Sequence, residues 1–162
     1  METETMEGER FDWAPAAPDD LADLLVMLEA FYEEEQLEHD PDGSAAAVKE
    51  LLERPSVGKI WMLRRGEAVA GYLIAIIGFG VEFGGRYILL DELFIRPGFR
   101  GHGQWRVGFA EVERWALSEN IRAMRLEVNH HNERAKRLYL TDGFADDERS
   151  ILTKWLASDG RG

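Results

Sequence analysis

The chain of 162 residues contains no cysteine, and this absence excludes several classes of protein. A disulfide scaffold, a zinc site built on thiolates and a cysteine nucleophile all require that residue. Long apolar runs are also missing, because glycines interrupt the stretch 68–79 and a membrane span needs about 20 residues. The first ten residues, METETMEGER, have neither a basic nor an apolar region. We therefore expect no secretory signal and a cytoplasmic protein.

Basic residues are few, since 19 stand against 31 acidic residues and the net charge is −12 at pH 7. A protein that binds a phosphate backbone is normally basic, so we expect no nucleic-acid partner, and we expect no membrane partner either. Residues 1–50 hold 16 acidic and two basic residues, whereas residues 96–106 hold three arginines, one histidine and no acid. One region therefore suits cations, and a second suits an anion.

Hydrophobic periodicity predicts a mixed α/β fold. Helical spacing occurs in residues 21–32, 44–52, 103–120 and 132–142. Extended patterns occur in residues 11–14, 59–63, 68–77, 87–95, 123–128 and 144–156. The composition of residues 40–43, Asp-Pro-Asp-Gly, indicates a turn, and Ser44 is the expected cap of the helix that follows. This order of elements implies a mixed sheet with helices on its faces, in one domain over residues 11–157 with flexible tails at 1–10 and 158–162.

The most informative segment joins a predicted strand to a predicted helix over residues 90–105, LDELFIRPGFRGHGQW. A strand that passes through glycines into a helix brings unsatisfied backbone N–H groups and the positive helix end to one point, which binds phosphate well. Gly101 and Gly103 let a ligand approach the backbone, and the arginines of this stretch attract anions. An ordinary strand-to-helix turn also uses glycine, so the residues alone leave both interpretations open.

Two motifs resemble those of the GNAT acyltransferase superfamily, in that family's order and spacing. Arg100-Gly101-His102-Gly103 is similar to the start of its Arg/Gln-x-x-Gly-x-Gly/Ala pyrophosphate signature. Residues 132–144, NERAKRLYLTDGF, are similar to its Asn-x-x-Ala-x-x-x-Tyr-x-x-x-Gly-Phe signature. The resemblance covers nearly the whole chain. It implies a mostly antiparallel twisted sheet of about seven strands with four flanking helices, splayed at the cofactor site.

The resemblance also implies an acetyl-CoA-dependent N-acetyltransferase, in which acetyl-CoA is the co-substrate and a primary amine of a small molecule or peptide attacks directly. Glu92 is the expected base and Tyr139 the expected acid for the departing thiolate. Asp91, its neighbour in the predicted strand, is an alternative base. A carboxylate suits this work because a free alkylamine has a pKa near ~10.4 and must lose a proton before it attacks.

The resemblance assigns further roles by position. The residues expected to bind the cofactor are Leu93, Phe94, Ile95, Arg100, Gly101, His102, Gly103, Gln104, Trp105 and Asn132. The residues expected to contact the acceptor amine, in the acidic and aromatic segments that the family uses for this purpose, are Tyr32, Glu33, Phe79, Glu82 and Phe83. We expect no metal, because the histidines lack the spacing of a zinc site. Many members of the family form dimers through C-terminal strands, which makes residues 150–156 a candidate homodimer contact.

Trp105 departs from the signature, which ends in a small residue at this position. Gly108 is a second departure, because the family usually has a large apolar residue there and glycine inside a helix costs about 1 kcal/mol. Our hypothesis is that the Trp105 ring fills the space that Gly108 leaves and so turns away from the phosphates. The alternative is that the indole blocks the phosphate site. The protein would then be a GNAT-fold binding or regulatory module with weakened or lost CoA binding.

Overall fold

Five strands form one sheet in the computed structural model, which describes residues 10–157. The strands are β1 (Phe11–Pro15), β2 (Gly58–Arg65), β3 (Ala68–Gly80), β4 (Gly85–Ile95) and β5 (Met124–Leu126). They lie in the order β1-β2-β3-β4-β5, in which the first four are antiparallel and β5 runs parallel to β4. This mixed, mostly antiparallel sheet confirms the predicted α/β class.

The described residues include four α-helices and divide into two compact units. The helices are α1 (Leu21–Glu34), α2 (Pro41–Glu53), α3 (Gln104–Ser118) and α4 (Glu133–Thr141). Residues 10–127 contain the sheet and the first three helices, and residues 128–157 contain α4. The single domain over residues 11–157 stays a prediction. Of the two predicted tails, only residue 10 falls within the described part.

Helix α2 begins three residues earlier than the sequence indicated. Asp40 caps it, because its carboxylate accepts a hydrogen bond from the Gly43 N–H at 3.1 Å. Pro41 takes the first helical position, where its φ is already suitable and its missing N–H needs no partner. The predicted turn over residues 40–43, with Ser44 as the cap, is therefore wrong.

The two faces of the sheet pack against different helices. Helices α1 and α2 cover one face through a buried cluster that includes Leu24, Met27, Leu28, Val48, Leu51, Ile60, Met62, Tyr72, Ile74 and Phe94. Helix α3 lies on the other face, where Gly108 lies against Leu73 and Trp13, and where the Trp61 and Trp115 rings are 5.4 Å apart. Successive residues of a strand point to opposite faces, so neighbouring positions of β3 serve the two layers.

Residues 144–157 contain no strand, so the described chain has five strands rather than about seven. A turn interrupts this segment. Glu148 has φ +54°, and its N–H donates to the Asp146 carboxylate at 2.8 Å. A left-handed residue does not fit an extended strand. The predicted strand from residue 144 onward is therefore wrong, whereas the homodimer through residues 150–156 stays a prediction.

Strand β4 extends well past its partner β5. β5 pairs only with residues 88–90 of β4, whereas β3 follows β4 as far as Ile95. From Asp91 to Ile95, one edge of β4 therefore pairs with no strand of residues 10–157. This divergence agrees with the splayed sheet that the family resemblance implies, and it falls in the segment that precedes the glycine turn.

Candidate active site

Glu92 is held by two tyrosine hydroxyls from different elements. The Tyr32 hydroxyl of α1 donates to Glu92 Oε2 at 2.7 Å, and the Tyr72 hydroxyl of β3 donates to Glu92 Oε1 at 2.8 Å. Tyr72 is fully buried, and Glu92 is partly buried. A carboxylate that accepts one hydrogen bond on each oxygen has a fixed orientation, and it keeps lone pairs for a further donor such as an ammonium group.

The two tyrosines act only as donors to this carboxylate. Burial raises the pKa of Tyr32 well above its usual value, and the hydrogen bond to Glu92 raises it further. Burial also raises the pKa of Tyr72, with the Glu92 charge as the second cause. Both hydroxyls therefore stay protonated at any pH at which the protein works, and the orientation of Glu92 does not depend on their titration.

Tyr72 was missed by the sequence reasoning, although a strand register would have indicated it. Tyr72 pairs with Phe94, and Glu92 lies two residues before Phe94 on the same face of β4. Diagonal neighbours on one face of an antiparallel pair are within reach of a long side chain. Without the register, Tyr72 was one aromatic residue in an apolar strand.

Asp91 occupies a bulge in β4 and differs from Glu92 in its surroundings. The register passes from Ile74 opposite Glu92 to Ala75 opposite Leu90, which leaves Asp91 as the extra residue. Its surface is exposed, yet enough protein surrounds its carboxyl that desolvation is the first cause raising its pKa to about 6. The negative charges of Glu92 and then Glu127 are the second and third causes. A pKa of about 6 means that the Asp91 carboxyl gains and loses its charge close to neutral pH.

The backbone of β4 presents hydrogen-bonding groups along its unpaired edge. The Arg96 N–H donates to the Ala70 carbonyl at 2.8 Å, on the side of β3. Because pairing alternates along an antiparallel ladder, the N–H and C=O groups of Leu93 and Ile95 face the opposite side. Phe94 turns its backbone toward β3, and its side chain is 4% exposed in the core. Two of the three residues expected to pair with the pantetheine arm therefore have polar groups on the unpaired edge.

Arg100 covers part of that edge. Its Nε donates to the Ile95 carbonyl at 2.5 Å, and its Nη2 donates to Glu34 Oε2 at 2.7 Å. The guanidinium also lies 5.6 Å from the centroid of the Phe94 ring. Arg100 thus bridges the end of β4 and the C-terminal end of α1. Arg96 has a different role, because its Nη1 donates to the Val69 carbonyl at 2.9 Å and anchors the turn to β3.

The turn between β4 and α3 depends on two left-handed glycines. Gly101 has φ +86° and Gly103 has φ +67°, conformations that cost little only without a Cβ. A Cβ at either position would meet no atom within 4 Å. Glycine is therefore required here by the backbone conformation and not by lack of space. His102, between them, contacts the Phe11 ring at 5.2 Å. Helix α3 starts next, at Gln104.

Trp13, rather than Trp105, occupies the space beside Gly108. An added Cβ at Gly108 would lie 2.9 Å from a Trp13 ring atom and 3.3 Å from Leu73. Trp13 also donates from its Nε1 to the Gln104 carbonyl at 2.9 Å, which ties β1 to the first residue of α3. The Trp105 ring packs edge-on against Phe109 at 5.4 Å. The hypothesis that the Trp105 ring fills the Gly108 space is therefore wrong.

The residues expected to contact the acceptor fall in two separate places. Tyr32 donates to Glu92, and its ring stacks on His39 at 5.1 Å; Glu33 follows it on α1 and is exposed. The others, Phe79, Glu82 and Phe83, lie at the β3–β4 hairpin. Phe79 lies five positions along β3 from Ile74, the residue opposite Glu92, or roughly 17 Å along the strand. The structure therefore brings Tyr32 to Glu92 and leaves the hairpin residues well away from it.

Asn132 and Tyr139 belong to the unit formed by residues 128–157. Asn132 caps α4, since its side-chain oxygen accepts from the Ala135 N–H at 3.2 Å. Tyr139 is partly buried, and its ring lies 6.1 Å from that of Phe144. The second signature therefore forms a capped helix within this unit.

Residues 10–157 contain neither a cluster of metal-ligating side chains nor a membrane-spanning helix. No group of three or more histidine, cysteine, aspartate or glutamate side chains there is arranged to hold a metal ion. No helix in this part of the chain has the length and apolar character needed to cross a bilayer.

Comparison with known proteins identifies the family. A model of the acetyltransferase (GNAT) family matches residues 24–144. The aminoglycoside N(6′)-acetyltransferase type 1 of Salmonella typhimurium is 25% identical over 117 residues, which are 70% of this chain and 80% of that protein. An integron cassette protein, HFX_CASS3, from the mobile metagenome of Cole Harbour Salt Marsh has a TM-score of 0.78 and 28% identity, and the match covers 90% of each chain.

A further solved structure, that of AAC(6′)-Iy with the bisubstrate analogue CoA-S-monomethyl-acetylneamine, has a TM-score of 0.80 and 19% identity, over 92% of this chain and 100% of that one. This likeness supports the fold. Since the family model spans most of the sequence, the chain belongs to the acetyltransferase (GNAT) family. It is an acyl-CoA-dependent N-acetyltransferase by class, as the resemblance in its two motifs indicated.

Proposed function

We propose that this protein transfers the acetyl group of acetyl-CoA to a primary amine of a small polycationic molecule, with aminoglycosides as the first class to test and peptide amines as the second. The observation that carries the proposal is the Glu92 carboxylate, held by two tyrosine hydroxyls at the unpaired part of β4. The acidic residues 1–50 suit a polycation. The 25% identity to an aminoglycoside acetyltransferase favours the same class of acceptor.

The residues around the glycine turn fit acetyl-CoA. Leu93 and Ile95 offer backbone groups on an unpaired edge, and the left-handed Gly101 and Gly103 leave open space before the start of α3. Arg100 adds a guanidinium for a phosphate. Bound there, acetyl-CoA supplies the thioester that carries the acetyl group.

In this proposal, Glu92 and Asp91 divide the work on the amine. Glu92 holds the acceptor ammonium, because its two tyrosine donors fix its position. Asp91 accepts the ammonium proton, directly or through water, because its pKa of about 6 is near the value that suits a general base. The neutral amine then forms the new C–N bond as the C–S bond breaks. Tyr139 gives its phenolic proton to the thiolate, and the phenolate is neutralised, directly or through water, by the extra proton that leaves the newly acylated nitrogen. The competing assignment makes Glu92 itself the proton acceptor.

The function is tested with purified protein, acetyl-CoA and a panel of amines, including kanamycin, spermidine and a peptide with a free N-terminus. Thiol release is followed with a thiol-reactive dye, which reports only CoA because the chain has no cysteine. We expect turnover with at least one polycationic amine. The proposal fails if acetyl-CoA binds but no amine of the panel releases thiol above the uncatalysed rate.

The pH profile separates the two proton acceptors. With Asp91 as the base, kcat/KM falls as the pH drops below about 6, since the carboxyl must be ionised to accept a proton. Asp91→Asn should remove that limb and lower the plateau by about 100-fold or more. An unchanged limb in Asp91→Asn means that Asp91 does not accept the proton.

Trp105 is the basis of the alternative function, a module that no longer binds CoA. Calorimetric titration with acetyl-CoA tests it directly, because micromolar binding excludes an obstructed site. Trp105→Gly adds a second readout. A gain of tenfold or more in CoA affinity, about 1.4 kcal/mol, would mean that the indole obstructs the phosphates. We expect no such gain, because the Trp105 ring packs on Phe109.

A further inference from the structure

Arg100 and Glu34 form an ion pair between the cofactor side and the acceptor side of the proposed site. The Arg100 Nη2 lies 2.7 Å from Glu34 Oε2, and 41% and 46% of the two side chains are exposed. Arg100 is expected to hold a phosphate of the cofactor. Glu34 is the last residue of α1, in the acidic segment 33–38 next to Tyr32. In this pair Arg100 neutralises a carboxylate although it is expected to bind a phosphate, and Glu34 neutralises a guanidinium although it lies where an acceptor ammonium group is expected.

The same guanidinium also occupies a backbone group on the cofactor side. Arg100 Nε donates to the Ile95 carbonyl at 2.5 Å. That carbonyl faces the unpaired edge of β4, where the pantetheine arm is expected to pair. One side chain therefore covers both an acceptor on β4 and a carboxylate on α1. A phosphate that binds the Nε and Nη2 edge of this guanidinium takes the place of both contacts.

We propose that the Arg100–Glu34 pair couples the binding of acyl-CoA to the binding of a cationic acceptor. When the phosphates of acyl-CoA take Arg100, Glu34 is released for an ammonium group of the acceptor, and an acceptor that takes Glu34 releases Arg100 in the same way. This inference rests on the proposed function. Because linkage is reciprocal, each ligand tightens the binding of the other by the same factor. Exposed ion pairs are weak, so that factor is roughly two- to fivefold.

The first test measures CoA affinity by calorimetry without any acceptor. Glu34→Gln removes the carboxylate that competes for Arg100, so CoA should bind roughly two- to fivefold more tightly than to the wild type. The matched control is Glu29→Gln, which removes the same charge from the same helix at an exposed residue without an ion pair in the described part of the chain. In an Arg100→Ala background, the effect of Glu34→Gln should disappear.

The second test measures the coupling itself, with kanamycin as the cationic probe. Saturating CoA should lower the Kd of kanamycin roughly two- to fivefold in the wild type and leave it unchanged in Glu34→Gln. The inference fails if Glu34→Gln and Glu29→Gln change the CoA affinity equally, or if the coupling persists in Glu34→Gln. Either result leaves the proposed function intact. Absence of CoA binding in every variant overturns the proposed function and the inference with it.

Discussion

The carboxylate side and the cofactor side of the proposed site are built in different ways. Glu92 accepts hydrogen bonds from two tyrosines, of which Tyr72 is fully buried. Arg100 is held by one exposed carboxylate and one carbonyl, next to a turn with left-handed glycines. The group expected to meet the amine is therefore fixed in advance, whereas the group expected to meet the phosphates is able to change partners.

The difference follows from burial. A hydrogen bond inside the protein is electrostatically stronger than one in water, and an unpaired buried partner is costly, so the buried tyrosine contact resists rearrangement. An exposed ion pair contributes about 0–1 kcal/mol and exchanges with solvent or a ligand. Catalysis gains from a group that is already oriented, while a phosphate site needs only to be reached by its arginine.

The largest expected effect comes from removing the carboxylate on the fixed side. Glu92→Gln keeps the size of the side chain but loses the negative charge that binds the ammonium group. We expect kcat/KM for the best amine to fall by about 100-fold or more, with CoA affinity unchanged. Steady-state kinetics and CoA calorimetry measure the two quantities. If the variant keeps a third or more of the wild-type kcat/KM, the carboxylate side does not act on the amine.

The second prediction asks whether orientation by Tyr72 matters. Tyr72→Phe keeps the buried ring and removes the hydroxyl that donates to Glu92 Oε1. The partly buried carboxylate loses a donor on the side of the fully buried Tyr72 ring, so we expect a loss of about 1–2 kcal/mol in the free energy of unfolding. Thermal or denaturant unfolding checks that value.

Tyr72→Phe should also lower kcat by about tenfold without changing the Kd for CoA, because Glu92 is then held by Tyr32 alone. Tyr32→Phe is the matched variant, and its stability loss should be smaller because Tyr32 is only partly buried. A purely structural role for Tyr72 would reduce stability and leave kcat unchanged.

The third prediction concerns the support of the cofactor side. Gly108→Ala places a Cβ 2.9 Å from the Trp13 ring, which is buried and tied to the Gln104 carbonyl. The clash should exceed the gain in helix propensity and lower the free energy of unfolding by about 1–2 kcal/mol. A double variant with Trp13→Leu should recover more than half a kcal/mol of that loss if the contact is the cause. Additive losses would place the cause elsewhere.

The local structure of the two motifs was predictable because its signals lie within short segments. The glycines at 101 and 103 precede a helix start, and Asn132 precedes the helix that it caps, so short spacings carried the information. Tyr72 and Trp13 were not predictable as contacts of Glu92 and Gly108, because those pairs depend on strand register and on helix packing between distant segments. One sequence without a known register does not specify which residues meet.

The predicted start of α2 is wrong for a different reason. Aspartate followed by proline favours both a turn and a helix N-terminus, since the same carboxylate and the same fixed φ serve either structure. The predicted strand after residue 144 is wrong because the apolar residues of 151–156 were taken as extended structure, whereas a left-handed Glu148 interrupts the backbone before them. Composition was informative in both cases, but it did not choose between two local conformations of similar cost.

The smallest expected change in the free energy of unfolding is that of Asp91→Asn. The pKa of Asp91 is raised to about 6 from 3.8, with burial as the first cause and the Glu92 charge as the second. A carboxyl with a raised folded-state pKa favours folding below its unfolded pKa, and that contribution is lost as the pH rises through 6. Asp91→Asn should therefore stabilise the protein at pH 8, by about 1 kcal/mol once the exposed surface of the residue is allowed for.

At pH 3.5 the stabilising effect of Asp91→Asn should shrink to a small fraction of its value at pH 8, because the folded-state carboxyl is then protonated and the unfolded-state carboxyl, with a pKa of 3.8, is mostly protonated too. Denaturant unfolding at the two pH values measures the difference, and Asp12→Asn, at an exposed position of β1 in the same sheet, serves as the matched control. An equal effect at both pH values would mean that Asp91 carries no raised pKa. If Asp91→Asn makes the protein more stable at pH 8 and also less active, the charge of Asp91 lowers stability but serves the reaction. This combination is expected of a functional carboxylate with a perturbed pKa.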